Sequence, residues 1–169
     1  MTITLFAQPY DISATGFYFE TAEEYYTRAD KTVNDFGQRV EEFEIQFIDG
    51  EALDCAFARA WGLHQGNFAA FLEAVEEWDE DRKRDYIIAV GECGYAHDDV
   101  VDDPDHEGVD IYYLDSLRDL AESFVEEGLY GPIPEALQFY IDYDVIAREL
   151  AVDFSETEIA GERLVYACR

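Results

Sequence analysis

A formal net charge of -29, from 40 Asp and Glu against 11 Lys and Arg in 169 residues, is the strongest constraint on what this chain can fold into. Like charges crowded on a small body oppose compaction, most strongly at low salt, and solubility alone asks for a net charge of only about 2 to 8. Disorder would relieve the repulsion. Yet 49% of the residues are apolar, and 12 Tyr, 12 Phe and 2 Trp are spread along the whole length, a composition that disordered acidic segments lack. The sequence specifies a folded body that carries its charge on the surface.

A globule of this length has a radius of gyration of roughly 15 Å, hence a diameter of about 40 Å. Duplex DNA carries one negative charge per ~1.7 Å of axis, so at that density the net charge would cover ~50 Å. A somewhat elongated protein would thus approach the linear charge density of a short duplex. Nucleic acid is excluded as a ligand by repulsion, and a DNA-binding protein becomes the expected partner.

The segment MTITLFAQPYDISATGF has no basic residue and no long apolar run, so neither a signal peptide nor a membrane span is expected, and the chain is placed in the cytoplasm with no membrane partner. Cys55, Cys93 and Cys168 are an odd number without close pairing; reduced, structural thiols are expected.

Alternation in Thr2-Ile3-Thr4-Leu5-Phe6 and Gly16-Phe17-Tyr18-Phe19-Glu20 predicts two strands. A helix is expected from Thr21, with a capping box at Thr21 and Glu24 and apolar positions Tyr25, Tyr26, Ala29, Val33 and Phe36, ending at Gly37. Residues 42–48 alternate as a third strand with Phe43, Ile45 and Phe47 inward. Helical spacing dominates 51–95, the charged stretch 97–108 reads as a loop, 109–114 as a strand, 116–127 and 134–150 as helices, and 152–167 as a strand pair. The fold class is therefore α+β, in three small domains at 1–60 (antiparallel sheet plus helix), 61–101 (helical) and 102–169 (α+β).

The expected helices separate charge from core. Residues 116–127 put Leu117, Leu120, Ala121, Phe124 and Val125 on one side and Asp115, Asp119, Glu122 and Glu126 on the other. The helix from Phe68 to Trp78 leaves Glu73, Glu76, Glu77 and Glu80 opposite its apolar stripe, and Asp79 and Asp81 extend the run. Asp98, Asp99, Asp102, Asp103, Asp105 and Glu107 crowd the 97–108 stretch. No Lys or Arg lies between Arg84 and Arg118, or between Arg118 and Arg148, so the usual i,i+4 relief of a solvated helix face is missing. A merely solubilising surface, or adaptation to high salt, is the plainer reading of the same composition; the two lysines suit it and the many Phe and Tyr do not.

No dedicated chemistry is legible. Asp103, Asp105, Glu107 and Gly108 fall at the first, third, fifth and sixth positions of a calcium loop, but the twelfth is Leu114, Pro104 interrupts, and a strand follows. Cys93, His97 and His106 lack a closing partner for zinc. Phosphate-binding Gly-rich loops, Gly-x-Ser-x-Gly elbows and His-Glu-x-x-His are absent. No metal, no cofactor and no catalytic residue is expected, and a carboxylate-rich hydrolase is disfavoured for want of a convergent motif.

The stretch from Leu129 to Leu150 resembles the ArdA family of antirestriction proteins, whose signature is Gly-x-x-Pro-x-x-Leu-x-x-Tyr-Ile-Asp-Tyr followed by Ala-Arg-Asp-Leu. Gly131, Pro134, Leu137, Tyr140, Ile141, Asp142, Tyr143, Arg148 and Leu150 match it, and Glu149 replaces the frequent Asp. The 5–7, 16–19 and 41–49 segments are similar to the family too. The resemblance implies an elongated three-domain protein that dimerises through its C-terminal domain, imitates bent duplex DNA and occupies the DNA groove of type I restriction–modification enzymes, that is, the methyltransferase core with its specificity subunit, to protect incoming mobile DNA. From the residues alone, Leu137, Phe139, Tyr140 and Ile141 read equally as core or as dimer interface. The alternative to the mimic is a general acidic interaction protein that binds basic or DNA-binding proteins without groove geometry.

Overall fold

The structure is a computed structural model that describes residues 1–103 and 106–169. It is an α+β protein with two small antiparallel sheets, and the chain divides into two compact units, Met1–Gly91 and Glu92–Arg169.

In the first unit, β1 (Thr4–Pro9), β2 (Phe17–Phe19) and β3 (Phe43–Asp49) pair antiparallel in the order β2-β1-β3. Leu5 sits between Phe19 and Phe47 in the register, and Leu5 and Ala7 point into the core. The inward face expected of 42–48 is present, with Phe43 and Ile45 buried and Phe47 half-buried. Helix α1 (Ala22–Ala29) starts as its capping box dictates: the Thr21 hydroxyl accepts from the Glu24 N–H, and the Glu24 carboxylate accepts from the Glu20 N–H.

The expected continuation of α1 to Gly37 does not form. Thr32 donates its hydroxyl to the Arg28 carbonyl, and the Asn34 side-chain oxygen accepts from the N–H groups of Phe36 and Gln38. Side chains of this kind offer the backbone an alternative to the helix. The chain instead turns back at Gly37, whose φ is 73°, bridging Val33 to Arg39 and burying Val40.

Helices α2 (Ala52–Trp61), α3 (Phe68–Glu77) and α4 (Glu80–Tyr86) follow, and α4 runs into a π-helical segment, Ile87–Glu92. Two aromatic clusters fill this unit. Phe19, Tyr25 and Phe68 meet with centroids 4.5 to 5.3 Å apart. Phe57 contacts Trp61, Phe71, Trp78 and Tyr86 at 5.2 to 5.4 Å.

In the second unit, β4 (Val109–Tyr112), β5 (Ser155–Ile159) and β6 (Glu162–Cys168) form an antiparallel sheet in the order β4-β6-β5. The 97–108 stretch, expected to be a loop, opens with a short helix, α5 (His97–Val101), whose Val100 is buried. Helix α6 (Leu117–Glu126) buries Leu120 and Ala121, and Tyr112, Phe124 and Phe154 pack in a triangle at 5.8 to 5.9 Å. The helix expected over 134–150 is broken in two: a 3-10 segment, Glu135–Tyr140, and α7 (Tyr143–Leu150), which packs on α6. Asp142 makes the break by accepting from the Val145 N–H, which caps a new helix in place of continuing the old one.

The expectation of three reduced thiols is corrected. Cys93 and Cys168 form a disulfide with their Cα atoms 5.7 Å apart across 75 residues of sequence, and Cys55 is the free thiol. Strand β6 returns the end of the chain to the segment after α4. There the Tyr95 hydroxyl donates to the Arg169 carbonyl, and Arg169 pairs in two-pronged fashion with Asp110 at 2.7 and 2.9 Å.

Candidate functional site

Helix α3 buries Phe68, Phe71 and Ala74 and holds Glu73, Glu76 and Glu77 in solvent, because residues three and four apart share a helix face. No ion pair to these three carboxylates is found among the described residues. The run that extends them is different. Asp79 is spent as the cap of α4, accepting from the Arg82 N–H at 2.8 Å. Glu80 and Asp81 both pair with Arg84, at 3.0 and 3.3 Å. The continuous six-carboxylate stripe expected from the sequence is therefore three open carboxylates followed by three that are capped or paired.

The basic run on α4 serves the protein itself. The Arg82 guanidinium lies 3.9 Å over the Trp78 ring, and Lys83 is buried against Asp54 of α2 at 2.7 Å. Lys83 is one of two lysines in the chain. Lys83 and Arg84 offset Asp54, Glu80 and Asp81, and none of these pairs reaches the three carboxylates of α3.

In the second unit Asp98 and Asp99 occupy the exposed first turn of α5, and Asp102, Asp103 and Glu107 are exposed beyond it; Asp105 lies outside the described residues. Asp115 is exposed ahead of α6, whose start is closed twice: Ser116 accepts from the Asp119 N–H, and Glu156 reaches from β5 to accept from the Leu117 N–H at 2.7 Å. Asp119 and Glu122 are half-buried and Glu126 is exposed. Arg118 pairs with Glu122 at 3.3 Å and with Asp144 of α7 at 2.8 Å, and the Asp144 contact holds its guanidinium firmly charged. Asp144 was not singled out from sequence; its partner lies 26 residues away, and no local spacing reveals it. Among the described residues no group of three or more His, Cys, Asp and Glu is placed to hold a metal ion.

The stretch after α6 that carries the family resemblance is built from helix ends. Leu129 N–H donates to Phe124 and Gly128 N–H to Val125, the paired closure of a helix on a left-handed glycine, and Gly128 and Gly131 have φ of 81° and 83°. Pro134 precedes the 3-10 segment, and Asp142 caps α7. Ile141, Tyr143 and Leu150 are half-buried, and Arg148 is exposed. Leu137, Phe139 and Tyr140 are 53%, 96% and 83% exposed, so within one protomer they are not core.

A sequence model described as antirestriction protein (ArdA) matches residues 9–161. The chain belongs to the ArdA family of antirestriction proteins. No curated protein matches it in sequence. ArdA membership makes the chain an antirestriction protein of a non-catalytic inhibitor family, and it implies interaction with type I restriction–modification enzymes. In this ArdA chain no helix among the described residues is long and apolar enough to cross a membrane.

Proposed function

We propose that this ArdA chain inhibits type I restriction–modification enzymes as a DNA mimic, its carboxylates standing in for phosphates in the groove formed by the methyltransferase core and its specificity subunit. The observation that carries this reading is the open row Glu73, Glu76 and Glu77, exposed and without a pairing cation on a helix whose opposite face is core. Asp98, Asp99, Asp102, Asp103, Glu107, Asp115 and Glu126 supply further exposed charge. Carboxylates presented this way meet a basic groove with complementary charge and displace its bound anions.

The protein acts as a homodimer in the cytoplasm, and the exposed Leu137, Phe139 and Tyr140 form the apolar surface that joins the protomers. Contiguous exposed apolar side chains of this size mark protein interfaces.

Titrating the purified protein into a type I methyltransferase bound to labelled specific duplex, at several salt concentrations, tests the proposal. Stoichiometric displacement that weakens as salt rises is the expected outcome. Absence of displacement at low salt by folded protein would overturn it, and would leave a general acidic binder of basic proteins, a reading that the internal pairing of Glu80, Asp81 and Glu122 favours.

A further inference from the structure

Beside the open carboxylates of α3 lies a feature that duplex DNA does not possess. A groove of about 530 Å³ runs between the start of α1 and α3, within the ~300–1,000 Å³ range of ligand clefts. Its floor is apolar, from Ala22 of α1 and Ala69, Leu72 and Val75 of α3. Leu72 and Val75 belong to the apolar stripe of α3, yet each is only half-buried, because the stripe is wider than the core it covers and its outer edge faces the groove. Glu20, Glu73 and Glu76 line the same groove and are exposed; the Met1 ammonium at its edge pairs instead with Glu51 at 3.7 Å, and no cation pairs with the three among the described residues.

An apolar floor under three open carboxylates selects its occupant by charge. A phosphate-bearing or acidic ligand is repelled, and a plain polycation leaves the floor wet. The complementary chemistry is an aliphatic side chain flanked by Lys or Arg, which buries the one group and pairs the others.

We propose that this groove is an anchor for a basic segment of the partner protein, accepting a Leu, Ile or Met side chain between Lys or Arg residues. The proposal rests on the groove-occupying reading above and adds to it a contact that imitation of DNA alone does not supply. Binding then has two parts: a carboxylate part that salt screens, and an aliphatic part that salt leaves in place. The anchor also orients the chain, because a charge row by itself can slide along a basic groove whereas a filled pocket fixes the register.

The test uses the full chain and two acetylated, amidated hexapeptides, Lys-Leu-Lys-Lys-Leu-Lys and Lys-Ala-Lys-Lys-Ala-Lys, with affinities measured by calorimetry at low and high salt. The leucine peptide is expected to bind at least about fivefold tighter at both salts. Ala69→Trp, which fills the floor without changing charge, should erase the leucine preference and leave the alanine peptide's affinity in place. Ala22→Leu blocks the groove from its other wall and should do the same if the tryptophan variant fails to fold. Equal affinities in the unmodified protein, or a leucine preference that survives both substitutions, would overturn the anchor. Duplex displacement from a type I methyltransferase by the unmodified protein, run in parallel, separates the two ideas: equal peptide affinities with displacement intact remove the anchor alone, and a leucine preference without displacement removes the mimic alone.

Discussion

Lys83 Nζ lies 2.7 Å from Asp54 Oδ1, with both side chains almost wholly out of solvent, at 10% and 7% exposure. In a chain with 40 acids and two lysines, one lysine is thus withdrawn from the surface to tie α4 to α2. Removing one partner strands a buried charge, so Asp54→Ala is expected to destabilise the protein by about 3–5 kcal/mol, whereas Asp54→Leu with Lys83→Met costs far less because both charges leave together. Chemical denaturation of the two variants reads the contrast. Equal destabilisation would mean that the pair contributes more than the burial of its own charges.

The Cys93–Cys168 disulfide closes a loop of 75 residues. Chain entropy alone assigns such a crosslink about 4–5 kcal/mol. Cys93→Ser is expected to lower the stability of the second unit by up to that amount and to leave amide exchange in α2 and α3 unchanged. Alkylation followed by mass measurement should label one thiol, Cys55, in unreduced denatured protein and three after reduction; three labels without reduction would refute the crosslink.

What the sequence disclosed and concealed divides by distance along the chain. The faces of α3 and α6 were legible because Phe68, Phe71 and Ala74, or Leu120 and Ala121, recur at helical spacing, and that spacing alone decides where Glu73 or Glu126 points. The end of α1 was not, because it depends on Asn34 folding its own side chain back onto Phe36 and Gln38. Arg118 with Asp144, Glu156 at the start of α6 and Cys93 with Cys168 join residues 26, 39 and 75 apart, and nothing local marks them. The pairing of Glu80 with Arg84 is a different case: four residues apart on one helix, it is marked by local spacing, and only the overall excess of acid hides it.

That pairing grades the acidic surface. Neutralising Glu73, Glu76 and Glu77 together to Gln removes three open carboxylates, each worth ~0.2–1 kcal/mol against an exposed partner. Inhibition should fall by about tenfold at low salt, and its dependence on salt should flatten. Glu80→Gln with Asp81→Asn should do less, since those charges already face Arg84. Titrations across a salt series compare the two sets; an all-or-none loss from any single substitution would point to a discrete site in place of a distributed one.

Asp11 is the hub of the clasp between the 10–15 and 30–39 segments. Its carboxylate accepts from the Asn34 amide at 3.0 Å and from both the N–H and the hydroxyl of Ser13; Asn34 first, then Ser13, holds it below the ordinary carboxylate range. A depressed folded value means that the clasp is present above the unfolded pKa and is lost as the pH falls through the folded one. The clasp should persist through mild acid and open only below the range where ordinary Asp residues protonate. Asn34→Ala should move the Asp11 titration upward, as followed by NMR, and open the segment at higher pH; an unmoved titration would discount the hydrogen bond.

Phe139 and Tyr140 are 96% and 83% exposed on a 3-10 segment whose residues contribute nothing to the core of their own protomer. Two neighbouring aromatic rings left in water are an interface or a liability, and aromatic anchors carry most of the energy where interfaces form. Phe139→Ser with Tyr140→Ser is therefore expected to convert the proposed dimer to monomer in sedimentation at micromolar concentration, with the melting temperature of the protomer's units little changed because no buried area is lost. Inhibition should fall more steeply than affinity for a single basic site does, since a dimer engages two sites at once and its avidity disappears with the link. A variant that remains dimeric at the same concentration would place the interface elsewhere and leave these rings as a contact for the partner enzyme, in which case inhibition falls without any change in sedimentation.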